Sequence, residues 1–302
     1  MQKKFLVSAI LFSLFLGALA LTGCSDDGPA SILLPDPYAE NVTIQGVQLQ
    51  RVTALPPIWD IPASEPSETV AESITTTNLL QLSPLNMGEL IAIKHTSEGD
   101  IAFRFFPTEA PQAVENFLTH AWNGFYNGVI FHRVIPEFMI QTGCPQGQGT
   151  GGQSIWGGQF GQELSPELRH FRGALAMAQT AAPNSIGSQF YVVQNSALDP
   201  NTRANYMNML ERQDDILETF QDGSVAMVSD VFPAASLNYF IENGGTPHLD
   251  WHISDNPHTV FGHVVWGMDV VDAIANAEAS NSRPVQDITI NGFSFFTVQG
   301  GV

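Results

Sequence analysis

Short runs of residues that favour β-strands recur from about residue 88 onward, and they restrict the fold more than any other feature of the sequence. The first two, GELIAIKH and DIAFRFF, alternate apolar and polar residues on either side of Ser97, Glu98 and Gly99, which predicts a hairpin. Six further runs are GVIFHRVI, FMIQTG, GALAMAQ, SQFYVVQ, HTVFGHVV and DITINGFSFF. Many short strands with few helices favour a mainly β fold, in the form of a closed antiparallel barrel.

Two helices and one insertion interrupt the strands. After Pro107, Thr108 is a candidate N-cap for a helix that Gly124 can end, because apolar residues recur between them at helical spacing. The run MDVVDAIANAE predicts a second helix with one apolar face. The stretch from about 198 to 246 breaks the strand pattern and is partly helical in character, with ANYMNMLERQDDILETF as its best helix candidate. We therefore expect strands framed by two helices, with a partly helical insertion.

The first residues are typical of an export signal. Lys3 and Lys4 precede an unbroken apolar run that ends at Ala20, which is shorter than the ~20 residues of a comfortable membrane span. The LTGC that follows resembles the lipobox of bacterial lipoproteins, in which the cysteine is diacylated and becomes the mature N-terminus. This resemblance implies a signal peptide at 1–23, lipid attachment at Cys24, and an extracytoplasmic, lipid-anchored location on a bacterial membrane.

A Pro-rich, acidic segment follows, and residues 24–85 are expected to form a tether. Within it, NVTIQGVQLQRV alternates and allows a short strand at about 42–52, whose docking on the domain the pattern leaves open. The globular domain is expected over 86–300, with the insertion at about 198–246 inside it.

Charge and cysteine content exclude several classes of function. The chain has 30 acidic and 11 basic residues, a net charge of −19, and loss of Lys3 and Lys4 with the signal would make it more negative still. Such a charge repels phosphate backbones and anionic lipid, so nucleic-acid binding is disfavoured and membrane contact must come from the lipid. Only Cys144 remains beside Cys24, which excludes an intrachain disulfide in the lipidated protein.

No cofactor or metal site is expected. The glycines of a GxGxxG pattern, Gly147, Gly149 and Gly152, are followed by no apolar-periodic helix, so dinucleotide binding is disfavoured. The eight histidines lack the HExxH or paired-ligand spacing of a metal centre.

The central segment FYNGVIFHRVIPEFMIQTG, from Phe125 to Gly143, places the guanidinium of Arg133 among large apolar residues. It closely resembles the cyclophilin signature, in which an aromatic residue precedes FHR, two aliphatic residues, a Phe and a Gln at fixed spacing. Further motifs match in the family's order: ENF (115–117), GTGG (149–152), LAMA (175–178), GSQFYV (187–192), TPHLD (246–250) and HTVFGHVV (258–265). The resemblance covers about residues 86 to 298 and implies an eight-stranded cyclophilin-like barrel capped by two helices.

The resemblance also implies a peptidyl-prolyl cis-trans isomerase that needs no cofactor and binds proline-containing polypeptides. Arg133 is the implied catalytic hydrogen-bond donor, and Gln141 helps to orient it. The residues implied to line the proline pocket are Phe138, Met139, Tyr191, Leu249 and His258, with backbone contacts to the peptide from Ala178 and Gln179 and with Gln189 nearby. Because isomerisation needs no base, His132 beside Arg133 is expected to have a structural or orienting role.

Departures from the family pattern affect this implied site. Tyr191 and Gln179 stand where Phe and Asn are usual. His248 occupies the place of a Trp associated with tight cyclosporin binding, so reduced cyclosporin binding is expected. The loop WHISDNP is longer than usual, so either His258 or His252 can line the pocket.

Two other functions fit the same sequence. A non-catalytic lipoprotein of the cell envelope could use the groove to bind or scaffold proline peptides, and a surface lipoprotein could bind a partner through the insertion. Arg133 favours the enzyme, whose expected role is to assist the folding of exported proteins at X-Pro bonds.

Overall fold

The structure, a computed structural model, describes residues 39–57, 79–182, 184–220 and 223–300. The predicted signal peptide, Cys24 and most of the predicted tether lie outside these residues. Within the four ranges, every helix is too short or too polar to cross a bilayer.

Strands make up most of the regular structure in the described ranges. They are β1 (Asn41–Ile44), β2 (Val47–Arg51), β3 (Leu90–Thr96), β4 (Gly99–Phe105), β5 (Arg133–Ile135), β6 (Met139–Thr142), β7 (Ala174–Met177), β8 (Phe190–Val193), β9 (Ile216–Thr219), β10 (Val225–Met227), β11 (Val260–Trp266), β12 (Ala279–Ser280), β13 (Arg283–Pro284) and β14 (Ile290–Gly300). The helices are α1 (Pro111–Trp122), α2 (Pro200–Glu211), α3 (Val228–Val231), α4 (Ala234–Asn243) and α5 (Met268–Ala275), with short 3₁₀ helices at Leu80–Leu82 and Pro247–Leu249.

Ten of the strands form one antiparallel sheet in the order β1-β2-β14-β3-β4-β11-β7-β8-β6-β5. All the predicted strand runs contribute to it, which confirms the mainly β prediction. The predicted hairpin is also confirmed, because β3 pairs with β4 and Thr96 faces Gly99 across the turn. Glycine suits position 99 because its φ is +133° and an added Cβ would lie 2.9 Å from a methyl group of Val270.

The predicted closed, eight-stranded barrel is not found among the described strands. The sheet has ten strands and an open order, with β1 and β5 at its edges. Two of the ten belong to the β1–β2 hairpin, which pairs with β14. Before β5, the chain meets the start of β14 through an isolated bridge between Ile130 and Thr289. Three backbone hydrogen bonds to carbonyl oxygens accompany the bridge: Gly128 N–H donates to Ile290 at 2.7 Å, Ile290 N–H to Val129 at 2.9 Å, and Phe131 N–H to Ile288 at 3.0 Å. Among the described strands β5 itself does not pair with β14, so the strand order stays open.

Part of the predicted tether belongs to the sheet. The alternating run at 42–52 forms the β1–β2 hairpin, in which Val42 pairs with Leu49. Val42, Ile44 and Leu49 are buried in one cluster with residues of β3 and β14, among them Ile93 and Phe296. The strand that the alternation allowed is therefore a docked hairpin, and its apolar face explains the docking.

The helices α1 and α5 correspond to the two predicted framing helices. The proposal of Thr108 as N-cap is wrong, since α1 begins at Pro111, which fits the first turn because proline has no N–H to leave unpaired. Phe117 on α1 lies at the centre of the core, with ring centroids of six aromatic residues 5.0 to 6.5 Å from its own: Phe103, Phe105, Tyr126, Phe190, Phe261 and Phe293.

The insertion is partly helical, as predicted, but its helix has other boundaries. Asp199 caps α2 by accepting hydrogen bonds from the N–H groups of Asn201 and Thr202, so the helix begins before the predicted run. The end of that run, ILET, forms β9 and pairs with β10. The insertion has its own small apolar core, which is joined to the main sheet by Phe171: Phe171, Leu198, Tyr206, Leu237 and Phe240.

Candidate active site

Arg133 and Gln141 face each other across the β5–β6 hairpin. An Nη1–H of Arg133 donates to Oε1 of Gln141 at 3.3 Å. The turn that joins the strands carries Phe138, and the guanidinium carbon of Arg133 lies 5.7 Å from the centroid of that ring. Arg133 is exposed, and a guanidinium has five N–H donors, so donors remain for a ligand that binds against Phe138.

A chain of side-chain amides holds Gln141 in place. Its Nε2 donates to Oε1 of Gln189 at 3.0 Å. The Nε2 of Gln189 in turn donates to the carbonyl oxygens of Gly149 and Gly151, at 3.1 and 2.8 Å. Each amide therefore has its donor and acceptor ends fixed by its neighbours. The Arg133 guanidinium is oriented from the loop at 149–151 through two glutamines.

An apolar cluster lies beside this polar chain. Met139 and Tyr191 are almost fully buried, at 1% and 3% exposure, and Phe138, Ala178 and Leu249 are half-buried against them. Met139 and Gln141 lie two residues apart on β6, so their side chains point to the same face of the sheet. The strand geometry thus sets the apolar cluster next to the donor at Arg133.

Two histidines were candidates for the pocket wall, and the structure brings only His258 to the cluster. The His258 ring lies 5.6 Å from the Tyr191 ring, and its backbone N–H donates to the carbonyl of Leu249 at 3.2 Å. His252 instead packs on Phe232 of the insertion, at 4.7 Å between ring centroids. Burial first, and then the neighbouring His170, lower the pKa of His258 to about 4, so its ring is neutral at pH 7.

Gln179 connects the site to the lengthened loop. Its Nε2 donates to Oδ1 of Asn256 at 2.9 Å and to the carbonyl of Pro257 at 2.8 Å. This fixes the loop against the end of β7, which is why the extra residues do not displace His258. A small cavity of about 140 Å³ lies on this side, lined by Gln141, Ala178, Gln179, Gln189 and the glycines at 149, 151 and 152.

Tyr191, His170 and Asp250 form a buried polar group beneath the pocket that the sequence did not predict. The Tyr191 hydroxyl lies 3.0 Å from Nε2 of His170, and Nδ1 of His170 lies 2.7 Å from Oδ1 of Asp250. Because the carboxylate can only accept, Nδ1 carries the proton and Nε2 accepts from the tyrosine. Burial raises the pKa of Tyr191 well above its usual value, so the hydroxyl keeps its proton. The sequence feature that could have indicated this group is Tyr191, which stands where the family has Phe, because a buried hydroxyl needs a hydrogen-bond partner.

His132 has the environment of a structural residue. Its ring nitrogens are buried, and burial first, followed by the charges of Arg133 and Arg283, lowers its pKa to about 4. A neutral imidazole of such low basicity is a poor proton acceptor at pH 7, as the sequence analysis expected.

A comparison with known families shows which family the chain belongs to. The sequence model of the family described as cyclophilin type peptidyl-prolyl cis-trans isomerase/CLD matches residues 90–209 and 199–294. The chain belongs to the cyclophilin family. Three staphylococcal relatives, each described as a peptidyl-prolyl cis-trans isomerase, align with most of this cyclophilin. It is 41% identical over 217 residues to the protein of Staphylococcus saprophyticus, which covers 71% of this chain and 96% of the relative.

The other two relatives give similar figures. The protein of Staphylococcus haemolyticus is 40% identical over 216 residues, 71% of this chain and 96% of the relative. That of Staphylococcus aureus strain USA300 is 39% identical over 207 residues, 68% of this chain and 91% of the relative. A crystal structure of a Cryptosporidium parvum cyclophilin matches at 26% identity with a TM-score of 0.48, over 68% of this chain and 96% of its own. A second, in the presence of the dipeptide Ala-Pro, matches at 25% identity with a TM-score of 0.48, over 70% and 99%.

This cyclophilin is therefore a peptidyl-prolyl cis-trans isomerase. The residues that the sequence analysis selected within the domain lie around one site: Arg133, Phe138, Met139, Gln141, Ala178, Gln179, Gln189, Tyr191, Leu249 and His258. Cys24, the predicted lipid attachment residue, lies outside the described residues.

Proposed function

We propose that the enzyme isomerises X-Pro bonds of exported proteins and so assists their folding, with the proline held in the apolar cluster at Phe138, Met139 and Leu249. The observation that carries the proposal is the position of Arg133. Its guanidinium carbon is 5.7 Å from the Phe138 ring centroid, and one of its N–H groups is bonded to Gln141.

Catalysis of X-Pro isomerisation requires stabilisation of the twisted amide in the transition state. Rotation about the peptide bond destroys amide resonance and meets a barrier of ~18–20 kcal/mol, whereas the two X-Pro isomers differ by only ~0.5–1 kcal/mol. The uncatalysed step takes ~10–100 s, so reaching milliseconds requires about five decades, or roughly 7 kcal/mol of barrier. No bond breaks and no proton leaves. A nucleophile is therefore unnecessary.

Arg133 can supply much of this selective stabilisation. In the planar amide the nitrogen lone pair is delocalised into the carbonyl, and it becomes a hydrogen-bond acceptor only when the bond twists. A donor fixed beside the proline ring therefore binds the transition state better than either isomer, which is the condition for catalysis. Gln141 and Gln189 keep the guanidinium in this orientation before the substrate arrives, so little ordering is left for the reaction step.

The peptide backbone needs a second support, so that the chain on one side of the bond stays fixed while the other rotates. We assign this to Ala178 and Gln179 at the end of β7, next to the cavity of about 140 Å³. The neutral His258 and the buried Tyr191 close the pocket without competing charge.

An arginine substitution tests the catalytic assignment. Arg133→Ala is expected to lower kcat/KM for an Ala-Pro peptide by about 100-fold, the effect of removing one transition-state donor. The rate of cis-trans exchange is measured by NMR, and circular dichroism verifies that the variant is folded. Arg212→Ala is the matched control, because Arg212 is an exposed arginine of the insertion that is 61% accessible. Equal rates for Arg133→Ala and the unaltered enzyme would remove the proposed role.

We also propose that the enzyme works outside the cytoplasm on a lipid anchor at Cys24, after loss of residues 1–23. Support comes from Lys3, Lys4, the apolar run and the LTGC motif. Between Cys24 and the first strand at Asn41, an extended chain of this length spans roughly 60 Å at most, which is enough to hold the domain clear of a bilayer surface. The mass of the membrane-extracted protein tests the proposal, since an unmodified Cys24 would contradict it.

Cyclosporin binding is proposed to be reduced. His248 offers a smaller aromatic surface than the tryptophan of the family, and its ring is stacked on Phe138.

A further inference from the structure

The insertion encloses a second cavity beside the proline pocket. The cavity has a volume of about 430 Å³, and α2, the residue after α3 and the loop at 251–257 each form part of its wall. Its apolar lining consists of Leu198, Tyr206, Met209, Phe232, Pro247 and Ile253. Ile253 is 44% exposed, so the cavity has an apolar rim that solvent reaches. We call this cavity the insertion subsite.

The insertion subsite and the proline pocket share one wall. The 3₁₀ helix Pro247–Leu249 carries His248, which lines the insertion subsite, and Leu249, which packs in the apolar cluster of the proline pocket. The His248 ring stacks on Phe138 with 5.8 Å between centroids and 27° between planes. Asn195 also lines the subsite, and its N–H lies 3.3 Å from the carbonyl of Phe138. The wall thus contains the stacked rings of His248 and Phe138 and the backbone contact between Asn195 and Phe138.

Distance along a peptide connects the two sites. An extended chain advances ~3.3–3.6 Å per residue. A proline against Phe138 and Leu249 therefore has neighbours two to four residues away that can pass the His248 ring and reach the insertion subsite. The insertion subsite is therefore continuous with the groove that binds the substrate at the proline pocket. The substrate peptide itself can fill the subsite, without a second polypeptide.

The lining selects for one class of side chain. Two aromatic rings face the space, those of Tyr206 and Phe232, whose centroids are 6.3 Å apart. Asp199 is the one charged residue in the described lining, and its carboxylate is held at the start of α2 by the N–H groups of Asn201 and Thr202. Burial of apolar surface favours a large apolar side chain, while the carboxylate disfavours an acidic one.

We propose that the insertion subsite binds a bulky apolar side chain of the polypeptide substrate, two to four residues from the proline that is isomerised. The insertion then gives the enzyme a sequence preference beyond the X-Pro bond. This inference rests on the proposed function, because it requires the proline to bind at Phe138 and Leu249.

A peptide scan tests the preference. The probes are peptides with an Ala-Pro core and alanine flanks, in which a single Phe is moved from four residues before the proline to four residues after it. NMR exchange with the detergent-solubilised full chain gives kcat/KM for each peptide. We expect one position two to four residues from the proline to raise kcat/KM about fivefold to tenfold over the all-alanine peptide. Asp at that position is expected to give no increase.

A pair of substitutions on one helix locates the effect. Asn205 lines the insertion subsite, whereas Asn208 is exposed on α2 and does not. Asn205→Trp fills the space and should abolish the preference for Phe while leaving the all-alanine peptide unaffected. Asn208→Trp is the matched control and should retain the preference. Ile253→Ser alters the opposite wall and provides a second variant should Asn205→Trp fail to fold. It is expected to reduce the preference at least threefold.

The outcomes separate this inference from the proposed function. Turnover of the all-alanine peptide with no favoured Phe position would overturn the subsite and leave the isomerase site intact. Equal losses in Asn205→Trp and Asn208→Trp would also overturn it, because a general disturbance of α2 would then explain the effect. If none of the peptides is turned over, the inference and the proposed function fail together. A preference that is abolished in Asn205→Trp, reduced in Ile253→Ser and retained in Asn208→Trp supports it.

Discussion

At the scale of single residues, Lys94 lies in an apolar environment that disfavours its charged form. Its amine is fully buried, 4.8 to 5.4 Å from the ring centroids of Phe103, Phe131 and Phe190, and has no hydrogen-bond partner among the described residues. The faces of the rings attract a cation, but burial dominates and lowers the pKa of Lys94 to about 7. Apart from Lys3 and Lys4 of the predicted signal, it is the only lysine in the chain.

Lys94 is therefore expected to make stability depend on pH in the alkaline range. The unfolded amine has a pKa of 10.5, so as pH falls from 10.5 to 7 only the unfolded chain gains the proton, and the free energy of unfolding decreases. Lys94→Met should raise stability at pH 7 by about 1–3 kcal/mol and remove this slope. Urea unfolding of both proteins at pH 7 and 10 measures the gain in stability and its dependence on pH. Parallel slopes for the two proteins would contradict the expectation.

His248 is the residue at which the proposed reduction in cyclosporin binding can be tested. His248→Trp enlarges the aromatic surface that stacks on Phe138, and we expect it to tighten cyclosporin inhibition by about tenfold, equivalent to roughly 1.4 kcal/mol. Inhibition of peptide exchange is compared for both proteins at equal activity. An unchanged inhibition constant would show that another part of the site, such as the lengthened loop, limits cyclosporin binding.

At the scale of elements, periodicity predicted the strands because each has a buried face, and the family signature predicted Arg133 and Gln141. Docking of the β1–β2 hairpin could not be predicted, because alternation defines an apolar face but not its partner. The His170–Asp250 contact was also invisible, since 80 positions separate the two residues. The insertion subsite arises only when α2 and the loop at 251–257 meet, and neither segment indicates the other.

Removal of the hairpin tests its structural role. A chain that begins at Leu79 loses β1 and β2 and exposes the apolar face that Ile91, Ile93 and Phe296 present to them. Burial of one large aliphatic side chain stabilises by ~1.5–3 kcal/mol, and three are lost, so we expect a decrease of about 4 kcal/mol or more. Urea midpoints of chains that begin at Ala39 and at Leu79 are compared. Equal midpoints would mean that the hairpin is only loosely attached.

At the scale of the whole molecule, the net charge of −19 limits how the protein can reach a membrane. Acidic lipid surfaces repel such a chain, and the described helices offer no span of the bilayer. The proposed location therefore rests on the proposed lipid at Cys24.

Fractionation of cells tests this dependence. Cys24→Ser is expected to move nearly all of the enzyme from the membrane to the soluble fraction at any salt concentration, because no electrostatic attraction remains. Cys144→Ser is the matched control, since Cys144 is a free, buried cysteine of the domain, and it should stay with the membrane. Retention of Cys24→Ser on membranes would contradict the anchor.

The amide relay from the loop at 149–151 to Arg133 has a consequence for working conditions. It consists of a guanidinium and two carboxamides, and such groups keep the same charge from acid to mild alkali. An enzyme with this relay should therefore keep a nearly constant rate across neutral pH. The rate should change only near pH 4, where the His258 ring in the pocket wall gains a proton, or where the fold is lost.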